Sequence, residues 1–400
     1  MTLSEEVRAT EDARWEAKIA DLEGQVGTLR KALGDSERGR ETAEKVAEYS
    51  ARPLKPPRWL TRTPKKAERV ATLCTVLSDM HLDEVVDPAE VDDLNAYDRA
   101  IAEQRIERYF AGVVKLARHY LAGLTYEGVV LFMAGDSISG DIHEELTESN
   151  EGTALETVLF WTERLAAGIT VLADEFGQVH VPCVVGNHGR RTRKPRAKRR
   201  ARDNFDWLIA QMLARHFHAD ERVTFQIPDG TDAIVPVYDT TFVLTHGDQV
   251  GGGGGIGGIW PPIMRMVAKK RVRHDFDVLV CGHWHQLIMA PSSGLIVNGS
   301  TKGFDEYAAV SNFVPERAQQ ALWTVSPGEG VTFSAPGLVS ANPDKTPVLG
   351  LPDQEEMHRM ERCAMLTAFL VAELESHKVS EAHVDQVLSA WACAWWDDKE

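Results

Sequence analysis

Five apolar runs in the middle of this chain each end in residues that bind metal ions: Asp79-Met80-His81, Gly135-Asp136, Gly186-Asn187-His188, His246-Gly247-Asp248 and Gly282-His283-Trp284-His285. A short apolar run bounded by turn-forming residues reads as a buried strand. Strands that deliver polar side chains at their carboxyl ends, one after another, belong to an open α/β arrangement whose ligands collect along one sheet edge. A single histidine so placed is ordinarily a satisfied structural residue. Five such segments in order point to a fold that brings the strand ends together.

The sequence between them agrees. Ala71 to Leu77, Val129 to Met133 and His180 to Val185 read as strands, and Asn95 to Leu121, Thr153 to Phe176 and Asn204 to His218 as amphipathic helices. Shorter strands follow at Val223 to Ile227, Ile234 to Tyr238, Phe242 to Thr245, Phe276 to Cys281, Gln286 to Met289 and Leu295 to Asn298, and a hairpin closes the region after Ala321. Alternation of this kind predicts a layered α/β domain over residues 71–340, with helices outside the sheets.

The flanks differ. Residues 1–50 place Trp15, Ile19, Leu22, Val26, Leu29 and Leu33 at alternating spacings of four and three, a heptad seam. That predicts an N-terminal coiled-coil helix joining a homodimer or higher oligomer, in preference to a lone helix packed on its own domain. Residues 51–70 carry Pro53, Pro56, Pro57 and Pro64 among basic residues and read as a linker in which Trp59 and Leu60 are free to dock. Residues 341–400 read as a Pro-containing linker and a small C-terminal helical appendage of two helices.

The five cysteines are widely spaced, form no C-x-x-C pair and sit mostly in apolar runs, the usage of a reduced, cytoplasmic protein. The N-terminus lacks an apolar signal core and no apolar run is long enough to span a bilayer, so no membrane partner is expected.

The donor set of the five segments is oxygen and imidazole without thiolate, which suits Mn2+, Zn2+ or Fe2+, with Mg2+ a further possibility. Two cations held about 3.5–4 Å apart need a shared anionic ligand, and Asp136 is the natural bridge. As an ordered group the segments resemble the motifs of the calcineurin-like metallophosphoesterase superfamily, over roughly Ala71 to Ala335. The resemblance implies an α/β/β/α sandwich holding two divalent metal ions, most readily Mn2+. Carried over by motif, Asp79, His81, Asp136 and His285 hold one ion, and Asp136, Asn187, His246 and His283 the other. His188 is then the catalytic imidazole beside the leaving oxygen.

Two positions depart from that pattern. Gly189 stands where an acid commonly follows the catalytic histidine, and Ser139 where Asp or His commonly follows the bridging aspartate by three residues. The residue that orients His188 is therefore open, with Asp141, His143 and Asp248 as candidates.

A formal net charge of -16 argues against a nucleic-acid partner unless cations are concentrated somewhere. They are: Arg190, Arg191, Arg193, Lys194, Arg196, Lys198, Arg199, Arg200 and Arg202 begin two residues after His188. Such a loop suits a phosphate backbone. A glycine-rich loop, Gly251 to Gly255 with Gly257 and Gly258, follows His246, and Lys269, Lys270, Arg271 and Arg273 end the next helix as a possible extension of the track. GDSISG and GNHG disfavour a protein phosphatase. The whole resembles SbcD-like DNA-repair exonucleases and, more closely, bacteriophage-encoded nuclease-like phosphoesterases. That implies a DNA substrate, a dimer, an ATPase partner, and the host cytoplasm if the chain is phage-encoded. A phosphodiesterase for nucleotides or other small esters, and a DNA-binding scaffold with a degenerate site, are the alternatives.

Overall fold

The computed structural model describes residues 56–61, 69–251 and 258–340. The expected coiled coil over 1–50, most of the linker, Gly252 to Gly257, and the C-terminal linker and helical pair over 341–400 lie outside the described residues.

Four layers stack as α/β/β/α. The first sheet has six strands in the order β11-β10-β1-β2-β3-β4, formed by β1 (Val70–Leu77), β2 (Thr125–Met133), β3 (Val179–Pro182), β4 (Val223–Gln226), β10 (Gln319–Ser326) and β11 (Gly330–Leu338). The second has five in the order β5-β6-β7-β9-β8, formed by β5 (Asp232–Val237), β6 (Thr240–Thr245), β7 (Val278–Cys281), β8 (Ile288–Ala290) and β9 (Leu295–Val297). β1 through β4 run parallel, as do β6, β7 and β9. The closing hairpin β10-β11 pairs antiparallel with β1.

Alternating side chains assign each face. From β1, Leu73 and Leu77 face the outer helices while Cys74 and Val76 face the second sheet. The inter-sheet core includes Phe132, Phe242 and Trp323, the ring of Trp323 stacked on Phe132 at 5.3 Å. Full burial of side chains this size contributes about 1.5–3 kcal/mol each, large against the marginal net stability of a domain. Leu60, in the short helix α1 (Arg58–Thr61), is fully buried in this same core. The core thus takes a residue from within the segment read as linker.

The outer layer over the first sheet is α2 (Arg99–Lys115), α4 (Ala154–Phe176) and α5 (Phe205–His216), with the short α3 (Glu144–Ser149) between α2 and α4. Their starts follow local chemistry: Asp98 caps α2, Thr153 and Glu156 form a capping box on α4, and Asn204 caps α5. On α4 the buried residues Val158, Trp161, Leu165, Ile169, Leu172 and Phe176 fall three or four apart and form one stripe against the sheet. α6 (Trp260–Arg271) covers the second sheet through Ile263, Met266 and Val267. Among the described residues no helix is long and apolar enough to cross a membrane.

His180 on β3 is buried and hydrogen-bonded to Thr224 Oγ1 at 2.9 Å, and burial pushes its imidazole down from 6.5 to about 4. Between those two values the unfolded chain binds the proton and the native state does not. Stability from this residue is therefore complete above the unfolded value and is lost as pH falls toward 4, by roughly 3 kcal/mol. Urea unfolding of wild type and His180→Gln across that window should show a flatter pH slope in the variant.

Candidate metal centre

The carboxyl ends of β1, β2, β3, β6 and β7 meet at one edge of the two sheets, and each is followed within five residues by ligand-type side chains. The backbone turns sharply there. Asp79 (φ 51°), His81 (46°), Asp136 (50°), His283 (71°) and His285 (54°) all occupy the left-handed region, unfavourable for side chains other than glycine. Strain of about 1–3 kcal/mol per residue persists only where surrounding bonds over-determine it. Here Asp79 N–H donates to Gly135 O (3.1 Å), Met80 and His81 N–H to Asp136 O (2.9 and 3.2 Å), and Leu82 N–H to Ser137 O (3.0 Å). Tyr97 OH and Ser300 Oγ donate to Met80 O and Asp79 O at 2.7 and 2.8 Å.

The side chains converge in overlapping clusters. Asp79, His81 and His285 form one, and Asp136, His246 and His283 another, the donor atoms within each lying within 4.8 Å of one another. His81 Nε2 is 3.1 Å from His285 Nε2, which lies 3.5 Å from Asp79 Oδ1. His246 Nε2 is 2.9 Å from Asp136 Oδ2 and 3.0 Å from Asn187 Oδ1. Two donors each about 2.0–2.2 Å from one ion stand roughly 3 Å apart. These spacings fit a shared cation, and the N/O donor set fits a divalent one.

Outer bonds fix the ligands. His246 Nδ1 lies 2.8 Å from Ala134 O, so its N–H is taken and Nε2 is left as the donor. Asp79 accepts from Ser78 Oγ and from His283 N–H at 2.8 Å. Ser78 in turn is held by Asn298 and Gln320. A residue the sequence did not flag does the most: Asp206, on the first turn of α5, accepts from the N–H groups of Asp136 (3.1 Å), Ser137 (2.8 Å) and Gly186 (2.8 Å). Gly186 is required because a Cβ there would fall 2.1 Å from Asp136 Oδ1.

His188 donates its backbone N–H to Asp136 Oδ1 at 2.7 Å, and its Nδ1 lies 3.0 Å from Ser139 O. The ring is thus oriented by a backbone carbonyl. Asp141 is exposed, Asp248 pairs with Arg200 at 2.6 Å, and His143, also exposed, packs its ring 5.9 Å from that of His188 without a hydrogen bond to it. A ring nitrogen of His188 lies within 4.8 Å of donor atoms of His81 and Asp136. Gly189 also has a physical reason: a Cβ would fall 2.4 Å from Asn204 Oδ1, the cap of α5, and close to the Asp206 carboxyl. No acid fits there.

Electrostatics follow from burial and proximity. Burial lowers His188 to about 3 and His283 to about 4, and lowers His285 as well, leaving neutral imidazoles with lone pairs. Burial raises Asp79 to about 6. His246 goes the other way: burial would lower it, but the Asp136 carboxylate, with Asp79 and Asp248, raises it to about 10. Burial likewise pushes Asp136 up, and His246 and His188 outweigh it and hold the carboxyl well below its usual range.

The basic loop divides into two sets. Arg190 donates to the carbonyls of Asn187, Thr192 and Arg193, folding the loop on itself. Arg191 pairs with Asp203, Arg193 with Glu144, Arg200 with Asp248 and Arg202 with Asp229. Lys194, Arg196, Lys198 and Arg199 are exposed and form no ion pair among the described residues. A pocket beside Asn187 is lined by Arg190, Arg196, Lys198, Arg199, Arg200 and Asp248. The basic end of α6 does not extend it through Lys270, which is buried and bonded to Asp232, Gln249 and Thr245.

No family model and no curated protein matches the chain. Solved structures similar to it include a predicted phosphoesterase from Streptococcus pneumoniae (12% identity, 64% of this chain and 84% of that one, TM-score 0.24). Others are the wild-type Vps29 of Entamoeba histolytica complexed with Zn2+ (14%, 66% and 99%, TM-score 0.25) and the vacuolar protein sorting 29 of Cryptosporidium parvum (14%, 66% and 96%, TM-score 0.27). Likeness at this level leaves the chemistry of the centre to its own geometry.

In the metal-free protein His246 carries a proton up to about pH 10, and a cation must displace it. Affinity for Mn2+ at that cluster should therefore rise with pH, by up to about tenfold per unit below that value. Calorimetric titration in two buffers of different ionisation enthalpy between pH 6.5 and 8.5 should detect the released proton. A flat profile with no proton release would remove His246 from the ligand set.

Proposed function

We propose that this chain is a two-metal phosphodiester hydrolase acting on DNA, a nuclease of exonuclease type. The observation that carries the reading is the position of Asp136 between two ligand clusters, with one oxygen 2.9 Å from His246 and the other accepting the backbone N–H of His188. A shared carboxylate is what lets two cations sit close enough to act on one phosphate. Divalent ions there, Mn2+ first among Zn2+, Fe2+ and Mg2+, would supply Lewis acidity toward the phosphoryl oxygens and acidify the attacking water.

The chain's own residues do the rest. Asp79, His81, Asn187, His246, His283 and His285 supply oxygen and nitrogen donors at fixed spacings. In-line attack by water on phosphorus breaks one ester P–O bond, and the leaving oxygen must gain a proton. His188 donates Nδ1–H to Ser139 O, so Nε2 is the nitrogen that would carry the proton. Burial keeps the ring neutral in the metal-free protein, so that proton is taken up from solvent as the anionic phosphate arrives and is then passed to the leaving oxygen. Lys194, Arg196, Lys198 and Arg199 supply exposed charge for neighbouring phosphates of a strand. With the whole chain at -16 and cations concentrated here, the acidic remainder repels DNA elsewhere and steers it toward this loop.

The test is Mn2+-dependent digestion of end-labelled single- and double-stranded DNA. Asp136→Ala should lower turnover by more than about 100-fold, beyond the usual cost of losing an outer partner of a ligand. A variant of full activity would sink the two-metal reading. Changing Lys194, Arg196, Lys198 and Arg199 to Ser should flatten the dependence of log K on log salt for duplex DNA by about 0.9 for each phosphate no longer neutralised. An unchanged slope, with a small chromogenic diester still cleaved, would point instead to a small-ester phosphodiesterase.

A further inference from the structure

Behind His81 the interior holds side chains of charged types that supply no ligand. Glu84, Lys302 and Asp305 are 6%, 3% and 6% exposed. Lys302 Nζ donates to Glu84 Oε1 at 2.7 Å and to Asp305. The turn that carries Lys302 is itself pinned, because buried Arg105 donates to Thr301 O at 2.8 Å, to Lys302 O, and to Asn95 Oδ1 at 2.8 Å. Burying charges carries a desolvation cost that well-packed apolar residues avoid. A group so rigidly held there needs a reason beyond stability.

The reason lies on the other oxygen of Glu84. Oε2 accepts the Ser139 hydroxyl at 2.5 Å and lies 3.4 Å from His81 Nδ1, a buried ring nitrogen for which Glu84 is the one polar partner among the described residues. Ser139 is also the residue whose carbonyl orients His188. We propose that Glu84 is a positioning residue for two imidazoles at once, His81 directly and His188 through Ser139, with Lys302 fixing the carboxylate. A carboxylate behind a ligating histidine sets its tautomer and ring orientation. Here the same carboxylate sets the peptide that holds the leaving-group imidazole, so Ser139 replaces a directly orienting acid.

This inference rests on the two-metal reading above, and its test separates the two. Glu84→Gln keeps the shape, but its amide N–H2 must face either the Lys302 ammonium or the Ser139 hydroxyl and His81. In a calorimetric Mn2+ titration it should weaken one of two binding steps by about 10–100-fold, the same step that His285→Ala abolishes, and leave the other in place. Ser139→Ala should leave both steps in place. It should lower turnover of a thymidine dinucleotide at least about tenfold more than that of bis(p-nitrophenyl) phosphate, whose leaving group needs no proton, and Ser139→Thr should restore the ratio. The proposal is overturned if Glu84→Gln weakens both steps equally or neither, or if Ser139→Ala lowers both esters by the same factor. A wild type that takes up two Mn2+ and cleaves neither ester ends the hydrolase reading, and the titration alone then decides whether Glu84 holds His81.

Discussion

The Asp206 carboxylate, accepting three backbone N–H groups from two different loops, is the constraint on which the candidate metal centre depends. β2 and β3 pair as far as Met133 and Cys183, and beyond that bridge the ladder has no more partners to offer. The N–H groups of Asp136, Ser137 and Gly186 would be buried and orphaned there, at a cost of about 1–3 kcal/mol each. One carboxylate satisfies all three and ties Asp136 to the turn that carries Asn187 and His188. Its place on the first turn of α5 suits a negative charge.

Burial and the nearby Asp136 raise the pKa of Asp206, and hydrogen bonds from Gly186 and Ser137 oppose them. The same opposition recurs through the site. Buried carboxylates stand beside imidazoles, and protons on His246 occupy the space that cations suit better. The left-handed turns at Asp79, His81 and Asp136 are tolerated because their two loops are cross-bonded to each other and capped by Tyr97 and Ser300, and that at His283 is tied by its N–H to Asp79 Oδ1. Preorganisation of this kind places the donors before any ion arrives, which is what a centre of fixed geometry needs.

Charge outside the centre is sorted by the same economy of partners. Exposed ion pairs contribute little, about 0–1 kcal/mol, yet Arg200 with Asp248 is mostly buried and links the basic loop to the His246 segment. Arg190 folds the loop through carbonyls. The exposed cations therefore project from a loop whose base is anchored, through Arg200 and Asp248, beside His246.

Much of this was legible in the chain order of residue types. Alternating apolar positions determine strands and their faces, Thr153 and Asn204 determine two helix starts, and five strand-end clusters mark the polar residues that converge at the sheet edge, because these depend on local spacing alone, whereas the helix read from Asn95 starts only at Arg99. Only the tertiary structure decided that Asp206 stitches the loops, that the Ser139 carbonyl orients His188, that Gly189 leaves room for Asn204, and that Arg190 and Lys270 serve the fold. Hydrogen bonds between residues tens to hundreds of positions apart leave no periodic mark in a sequence, and a charged side chain reads the same whether it faces water or a buried partner.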